Sequence, residues 1–320
     1  MKRDQMKNFL LRLLVFLVGL LLLNALIAAV VIWPTYYGPY LESFGARHSY
    51  DYETILLADS HGRSLGQDLL SDHRILNLAE GSDNYADMYL KMEALLREGH
   101  RFKTLLLTVD DHTLSTYRKE AENNKRAVLF STLRPVQLIT DWTAFEYFKL
   151  KYVDPYLPMF SPLHAEFTRK WISQNLRELL AGPPKEEAKW SLLSERKRLE
   201  AARHRYETQF GEEYSEELEG ALRSILNLAD RNDIRVSGIR YPLAPTYLEV
   251  IGEATFGAHT LLSQAGYPVL DFKHRFENDP SMFRNQDHVN DAGAAIIVEE
   301  LAKRLGKFRR YAEMGYTETK

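Results

Sequence analysis

Cysteine is absent from the 320 residues of this chain, which excludes a disulfide framework, a zinc–thiolate site and a thiol nucleophile. An excess of positive charge is also missing: the net charge is -3, and the basic residues are not gathered into one block. Because nucleic-acid-binding proteins usually carry such a block, we expect no nucleic-acid partner. The length allows one large domain or two small ones, with enough residues for a substantial core.

One long apolar segment interrupts this even composition. Residues 13–33 carry no charge and only Asn24 as a strongly polar residue. A helix of this length spans a hydrocarbon core of about 30 Å. Basic residues precede the segment, which predicts an N-terminus on the inner side of the membrane and a chain that continues outside. A cleaved signal peptide and a buried core helix are the alternatives, but the run is longer than a signal peptide needs and is apolar on every face.

The rest of the chain alternates between short apolar runs and helical patterns. The runs predict strands at 53–58, 74–79, 103–109, 234–239 and 268–272. This alternation favours right-handed crossovers and therefore a parallel sheet. The predicted fold class is α/β, a parallel sheet flanked by helices, with one helical insertion and one N-terminal transmembrane helix.

The sequence predicts a cytoplasmic tail (1–12), a transmembrane helix (13–33) and a linker (34–52). The main domain follows at 53–306, with its helical insertion at about 113–213, and a C-terminal tail occupies 307–320. Within the domain we expect one helix over about 245–265, and a last helix that Asp291 caps and Gly306 ends. The insertion is rich in aromatic residues. Such residues are more often core than a carbohydrate platform, and a glycan groove is the second hypothesis for them.

Three polar clusters lie where a parallel sheet keeps its active site, beyond the carboxyl ends of strands. Ser60 stands in the turn after the first strand, placed as a nucleophile, and the following helix would add N–H groups and a positive dipole end. Gly81 lies in the turn after the second strand. His288 precedes the last helix and could act as a general base to the serine. Taken singly, Ser60 is more often a turn serine and His288 a structural loop histidine.

Together, Ser60, Gly81 and His288 resemble the SGNH (GDSL-type) hydrolase superfamily, whose fold is flavodoxin-like. The segment 287–294, DHVNDAGA, is especially similar to membrane-anchored members in bacterial polysaccharide gene clusters. Those members belong to the alginate acetylation and teichoic-acid D-alanylation systems. The resemblance covers about 53–112 and 214–306 and leaves out the insertion.

The resemblance implies an acyl-enzyme mechanism in which Ser60 attacks an acyl ester and His288 carries the proton. The backbone N–H groups of Ser60 and Gly81 would stabilise the oxyanion. It also implies an O-acyltransferase or esterase that acts on O-acetyl groups of a cell-surface polysaccharide, with its domain outside the bacterial cytoplasmic (inner) membrane, on the periplasmic side. The implied partners are the lipid bilayer and a membrane-bound O-acyltransferase or other membrane complex subunit. That protein partner would dock on the single transmembrane helix and on 34–45. No cofactor is implied.

The acidic member of the site departs from the family pattern. It usually lies three residues before the histidine, where this chain has Asn285. Asp287 is the immediate neighbour of His288, and adjacent side chains in extended backbone point opposite ways. Asp287 is therefore expected to be poorly placed unless the loop is tightly turned. Asn285 could orient the imidazole instead as a hydrogen-bond acceptor.

The oxyanion asparagine usually found after the third strand also has no clear match. Asp110, Asp111 and His112 follow that strand, where they are more often a capping cluster, and a carboxylate there would repel an oxyanion. A milder departure is Ala58, which stands where the family has glycine. The remaining candidates for the oxyanion or substrate side are Asp59, Asn84, Asp111 and His112.

These departures favour a second class of function, a catalytically inactive SGNH-like scaffold of a polysaccharide export or acylation complex. A third class is a metal-dependent phosphoesterase in which the aspartates and histidines of the clusters gather a divalent cation. No paired-histidine spacing supports that class, and we predict no metal site.

Overall fold

A computed structural model describes residues 3–45, 52–120, 123–182 and 189–313. The chain divides into two compact units. The helical unit contains Met1–His48 and Asp141–Glu186, and the sheet unit contains Ser49–Thr140 and Glu187–Lys320. The predicted insertion at 113–213 is therefore divided, because only its middle part belongs to the helical unit.

The sheet unit is built on five strands. In chain order they are β1 (Thr54–Leu57), β2 (Ile75–Asn77), β3 (Thr104–Thr108), β4 (Arg235–Arg240) and β5 (Val269–Asp271). Every pair is parallel, in the order β2-β1-β3-β4-β5, and Ile55 of β1 is in register with Leu76 and Leu105. The predicted parallel α/β fold is confirmed. This strand order is the flavodoxin-like one, whose winding reverses between β1 and β3, and ligands bind at such a reversal.

Helices account for most of the remaining chain. They are α1 (Arg3–Ile27), α2 (Gly38–Gly45), α3 (Ser60–Arg63), α4 (Gln67–Ser71), α5 (Tyr85–Arg97), α6 (Thr116–Glu120), α7 (Leu133–Ile139), α8 (Ala144–Phe148), α9 (Pro162–Ala181), α10 (Glu195–Phe210), α11 (Glu216–Asp230), α12 (Pro245–Ile251), α13 (Ala258–Gln264) and α14 (Asp291–Glu313). π-Helical segments occupy Ala28–Tyr37 and Lys149–Val153, and 3-10 turns occupy Arg126–Leu129, Pro158–Phe160, Trp190–Leu192 and Pro280–Met282.

Helices cover both faces of the sheet. Leu56 and Leu106 belong to one buried cluster with Ile297 and Leu301 of α14. Because successive strand residues point to opposite faces, their neighbours face the other side of the sheet. There α5 and α11 pack against each other, and α11 contacts β4. This covering on both faces explains why the central strands β1 and β3 are apolar runs that are buried along their whole length.

The N-terminal helix is longer than the apolar run. Residues Asp4–Gly45 form one continuous helix, long and apolar enough to cross a membrane. Pro34 lies inside the π-helical segment, where Gly38 N donates to Trp33 O, and the wider turn accommodates a residue that lacks an N–H. The predicted linker at 34–52 is therefore wrong for 34–45, and 46–51 lie outside the described residues. The predicted tail at 1–12 is helical from Arg3 onward.

Two predicted helix boundaries in the sheet unit are wrong. The helix expected over 245–265 is divided into α12 and α13, because Gly252 and Gly257 adopt φ of 50° and 81°. Asn290, not Asp291, caps α14, since its Oδ1 accepts from Gly293 N at 3.1 Å. The same helix continues through Gly306 to Glu313. Of the predicted C-terminal tail, 314–320 lie outside the described residues.

The aromatic residues of the insertion do not form the expected core. Tyr147 is buried, but more than half of the surface of five other rings is exposed: Phe145, Phe148, Tyr152, Tyr156 and Phe160. This part of the helical unit therefore presents an apolar surface.

Candidate active site

Ser60 and His288 meet at the carboxyl end of the sheet. Ser60 Oγ lies 2.8 Å from His288 Nε2. Ser60 is the first residue of α3, directly after β1, and Asp59 caps that helix through a bond from His61 N of 2.9 Å. Since α3 has four residues, the helix dipole expected behind the serine is not available. Both side chains are half-buried, so the pair is held by the protein and still reaches solvent.

A tight turn brings two acceptors to the opposite nitrogen of the imidazole. His288 Nδ1 lies 2.9 Å from Asp287 Oδ1 and 3.0 Å from Asn285 Oδ1. Asn285 Oδ1 also accepts from the backbone N–H groups of Asp287 and His288, at 3.2 and 2.9 Å. These bonds close the turn, so the expectation that Asp287 would point away from its neighbour is wrong. With its proton on Nδ1, the ring offers Nε2 as an acceptor to the serine hydroxyl.

Asp287 is held as a buried carboxylate. Its Oδ2 accepts from Arg205 Nε at 2.6 Å and from Gln209 Nε2 at 3.2 Å, and only 1% of its surface is exposed. Burial alone would raise the pKa of Asp287, but the charges of Arg205 and His288 hold that pKa well below its ordinary value. The group next to the imidazole therefore stays ionised at neutral pH.

A second imidazole lies behind the first. His61 Nδ1 is 2.7 Å from Asp110 Oδ2, and His61 Nε2 is 3.5 Å from Asp287 Oδ2. The rings of His61 and His288 meet edge to face, with centroids 4.8 Å apart. Burial opposes the charged form, but Asp59 and Asp110 raise the pKa of His61 well above its ordinary value. His61 is therefore a buried imidazolium that donates from Nδ1 to Asp110, while its Nε2 faces Asp287.

A buried arginine balances the other side of this network. Arg118 Nη2 lies 3.0 Å from Asp59 Oδ2, and 1% of the arginine is exposed. Burial opposes ionisation of Asp59, but His61 and Arg118 hold its pKa well below the ordinary value. His112 packs beside His61, with ring centroids 5.4 Å apart. Burial lowers the pKa of His112, so this ring is neutral.

Other predicted site residues make their contacts elsewhere. Asn84 caps α5 and donates to Arg118 O at 3.2 Å. Asp111 accepts from Arg240 at 2.8 Å and lies 3.0 Å from Lys273 Nζ. Neither side chain is directed to Ser60 or His288. The carbonyl of Gly81 accepts from Arg126 at 2.9 Å.

Sequence reasoning missed four residues that contact this site: His61, Arg118, Arg205 and Gln209. His61 adjoins Ser60, so its place in the same turn was a usable signal. Arg205 lies on α10, and its contact with Asp287 joins residues 82 positions apart. No local pattern indicates that contact.

Among the residues that the structure describes, two groups of side chains have the spacing of metal ligands: His61, Asp287 and His288, and Asp59, His61 and Asp110. Each already contains or touches a cation, because Arg205 bonds Asp287 and Arg118 lies against Asp59. A divalent cation would have to displace or repel these charges. The donor set therefore fits a proton-transfer network better than a metal centre.

Comparisons with known proteins leave the family open. No protein-family model matches the chain, and no curated protein matches it. Among solved structures, one described as an acylhydrolase from Bacteroides fragilis NCTC 9343 is 8% identical, with a TM-score of 0.39, over 85% of this chain and 97% of that one. A GDSL-like lipase from Bacteroides thetaiotaomicron VPI-5482 is 9% identical, with a TM-score of 0.40, and the match covers 86% of this chain and 98% of the lipase. At these scores neither likeness carries an argument, and the function must be argued from this chain's own residues.

Proposed function

We propose that this protein is a serine-dependent esterase or O-acyltransferase of the SGNH type. It would act on O-acyl groups, in the first place O-acetyl groups, of a cell-surface polysaccharide. The observation that carries the proposal is the 2.8 Å contact between Ser60 Oγ and His288 Nε2. The other nitrogen of the same imidazole, Nδ1, lies 2.9 Å from Oδ1 of the ionised Asp287.

The first half of the reaction forms an acyl-serine. Ser60 Oγ attacks the carbonyl carbon of the ester while His288 Nε2 takes the hydroxyl proton. The tetrahedral intermediate collapses, the ester C–O bond breaks, and the imidazolium returns the proton to the leaving alcohol. Asp287 stabilises the imidazolium through Nδ1 and does not itself take up the proton.

The second half transfers the acyl group. His288 removes a proton from the acceptor, whose oxygen attacks the acyl-serine, and the proton returns to Ser60. With water as the acceptor the product is a free acid, and with a sugar hydroxyl it is a new ester. The half-buried position of Ser60 is compatible with either acceptor.

The oxyanion donors in this proposal are the backbone N–H groups of Ser60 and Gly81. Each such donor contributes about 3 kcal/mol to transition-state stabilisation. The aspartates that follow β3 do not oppose this role: Asp110 accepts from Tyr241 N at 2.7 Å and faces His61. Asp111 is paired with Arg240 and Lys273. Both carboxylates are thus occupied by other groups.

The membrane and the substrate rest on other observations. The apolar N-terminal helix supports a single-pass anchor in the bacterial cytoplasmic membrane, with the sheet unit on the outer side. The resemblance of 287–294 to polysaccharide-modifying members supports a glycan substrate. We propose a membrane-bound O-acyltransferase, or another membrane complex subunit, as the partner that delivers the acyl group.

One observation bears on the alternative of an inactive scaffold. The scaffold alternative was favoured by two departures, the missing acidic residue and the missing oxyanion asparagine, and the position of Asp287 answers the first of them. A fluorophosphonate probe separates the two, because it reacts only with an activated serine. Treatment with a chelator separates the hydrolase from a metal-dependent phosphoesterase, and we expect no change in esterase activity.

The test uses the full chain in nanodiscs and compares the wild type with Ser60→Ala, His288→Ala and a matched control, Ser71→Ala. Ser71 is a half-buried serine at the end of α4 whose hydroxyl donates to Asp68 O. We expect fluorophosphonate labelling of the wild type and the control only, and release of acetate from O-acetylated polysaccharide with the same pattern. A folded wild type that takes up no probe would refute the proposal and favour the scaffold.

A further inference from the structure

Asn24 is the one strongly polar residue of the apolar run, and it lies near the middle of that run. It stands eleven positions after residue 13 and nine before residue 33. At a rise of 1.5 Å per residue these separations are about 16 and about 14 Å. Half of a bilayer's hydrocarbon core is about 15 Å. If the run spans a membrane, Asn24 therefore marks the depth of its centre.

A distant loop meets Asn24 at that depth. Met159 N donates to Asn24 Oδ1 at 3.0 Å, across 135 positions of sequence, and Asn24 Nδ2 donates to Leu20 O at 2.9 Å. Asn24 is fully buried by these neighbours. An amide in hydrocarbon is costly unless it is bonded, and so is a free backbone N–H. Each group satisfies the other.

The loop itself is suited to a medium without water. Across 154–161 every backbone N–H is bonded or belongs to a proline. The bonds run from Asp154 to Lys149 O, from Tyr156 and Leu157 to Val153 O, from Met159 to Asn24, from Phe160 to Leu157 O and from Ser161 to Pro158 O. Pro155 and Pro158 have no N–H to satisfy. Irregular backbone at membrane depth is tolerated only when its polar groups are satisfied in this way.

The surface of this segment is apolar where it is exposed. At the loop, Met159 and Phe160 expose 44% and 55% of their surface. On α9, Ile172, Leu176 and Leu179 repeat at i, i+4 and i+7 and form one exposed stripe. Exposed apolar patches of this extent mark a contact with a partner or a membrane.

The first turns of α9 fix its level along the N-terminal helix. His164 Nε2 lies 3.0 Å from Tyr37 Oη, and the rings of Tyr36 and Phe167 are 4.9 Å apart. The tyrosines follow the end of the apolar run, at the level where aromatic residues meet the headgroups. Three basic residues of α9, Arg169, Lys170 and Arg177, are exposed, and side chains of this length can extend from an apolar environment to the headgroups.

We propose that 144–181 form a second membrane-contacting element, with the lipid of the outer leaflet as its partner. The loop at Pro158–Phe160 lies in the hydrocarbon beside Asn24, and α9 lies in the interface with its apolar stripe in the lipid. A groove of about 590 Å³ between Ile27, Met159 and Ile172 faces the acyl chains. The inference rests on the proposed membrane span but not on the proposed chemistry.

The cysteine-free chain allows a clean labelling test with single cysteines in the full-length protein in phospholipid vesicles. The variants are Phe160→Cys and Leu176→Cys, with Gln174→Cys on the polar face of α9, Leu17→Cys within the span and Glu277→Cys in the sheet unit. We expect a charged maleimide to modify Phe160→Cys and Leu176→Cys at least about tenfold more slowly than Glu277→Cys, because hydrocarbon disfavours charged groups. Gln174→Cys should react at nearly the rate of Glu277→Cys.

Two outcomes would overturn the proposal while leaving the span intact. In the first, Leu17→Cys is protected but Phe160→Cys reacts as fast as Glu277→Cys. In the second, Phe160→Cys is protected in native membranes and not in vesicles of pure lipid, which would make a protein the partner. Rapid labelling of Leu17→Cys would instead refute the span. Fluorophosphonate labelling of Ser60, measured on the same samples, reports separately on the proposed chemistry.

Discussion

Asp287→Asn tests which acceptor serves the imidazole. In the wild type His288 Nδ1 has two acceptors at nearly equal distance, a carboxylate at 2.9 Å and the amide oxygen of Asn285 at 3.0 Å. Loss of the carboxylate from a Ser-His-Asp triad costs about 10⁴-fold in kcat, which is about 5.5 kcal/mol. Here Asn285 remains to hold the proton on Nδ1. A neutral hydrogen bond is about half as strong as a charge-assisted one. We therefore expect to lose about half of that energy, a fall of about 10²-fold in kcat.

The assay is the rate of fluorophosphonate labelling of Ser60 together with acetate release, on the full chain. Asn285→Ala is the companion variant, and the double variant measures the coupling between the two acceptors. We expect the double variant to lose more than the two single losses combined, because both native acceptors of the ring are then gone. A change of less than twofold in Asp287→Asn, with collapse of activity in Asn285→Ala, would refute the reasoning and make the amide the functional partner.

Three further predictions concern the turn at Gly62, the pH dependence of stability and the contact of Asn24 with the loop at Met159. Gly62→Ala should lower the free energy of unfolding by about 1–3 kcal/mol, since the new Cβ would lie 2.4 Å from Ala58 Cβ. Gly81→Ala is the control and should change the free energy of unfolding little, because the atom nearest to its new Cβ would be 3.9 Å away. The pKa of His61 is raised in the folded state. The protonated His61 therefore contributes its full stabilisation below the unfolded pKa of about 6.5, and this stabilisation is lost as the pH rises through the folded pKa. His61→Gln should remove that loss of stability at alkaline pH, as measured by thermal melts. Asn24→Leu should speed maleimide labelling of a cysteine at position 160.

Each of these has a contrary result. Equal melting temperatures for Gly62→Ala and Gly81→Ala would show that the turn can widen. An alkaline stability profile unchanged by His61→Gln would mean that another group titrates there. Unchanged labelling at position 160 in the Asn24→Leu variant would mean that the loop is held without the amide.

The sheet could be predicted because its signal is local. Each strand is a short apolar run, and the parallel order follows from the helices between the runs. The helix boundaries were harder to predict. The break in 245–265 depends on two glycines with positive φ, and because a glycine within a helical pattern is often tolerated, the sequence alone does not indicate a break there. The cap of α14 moved by one residue, because Asn290 and Asp291 are both good caps.

The site was predictable only in part. Ser60 and His288 stand at positions set by strand ends, so their meeting follows from topology. The role of Asp287 depends on a turn that Asn285 closes, and extended backbone was the wrong premise. The contacts of Arg205 and of the loop at Met159 could not be predicted from the sequence, because they join residues 82 and 135 positions apart, respectively.

The distance in sequence between Ser60 and His288 sets when the serine can become reactive. The two residues are 228 positions apart, and such non-local contacts form late in folding. A chain synthesised from its N-terminus carries an ordinary hydroxyl at Ser60 until the turn at Asn285 has joined the sheet. In the proposed mechanism an incomplete chain would therefore carry no activated serine, because His288 would not yet lie beside Ser60.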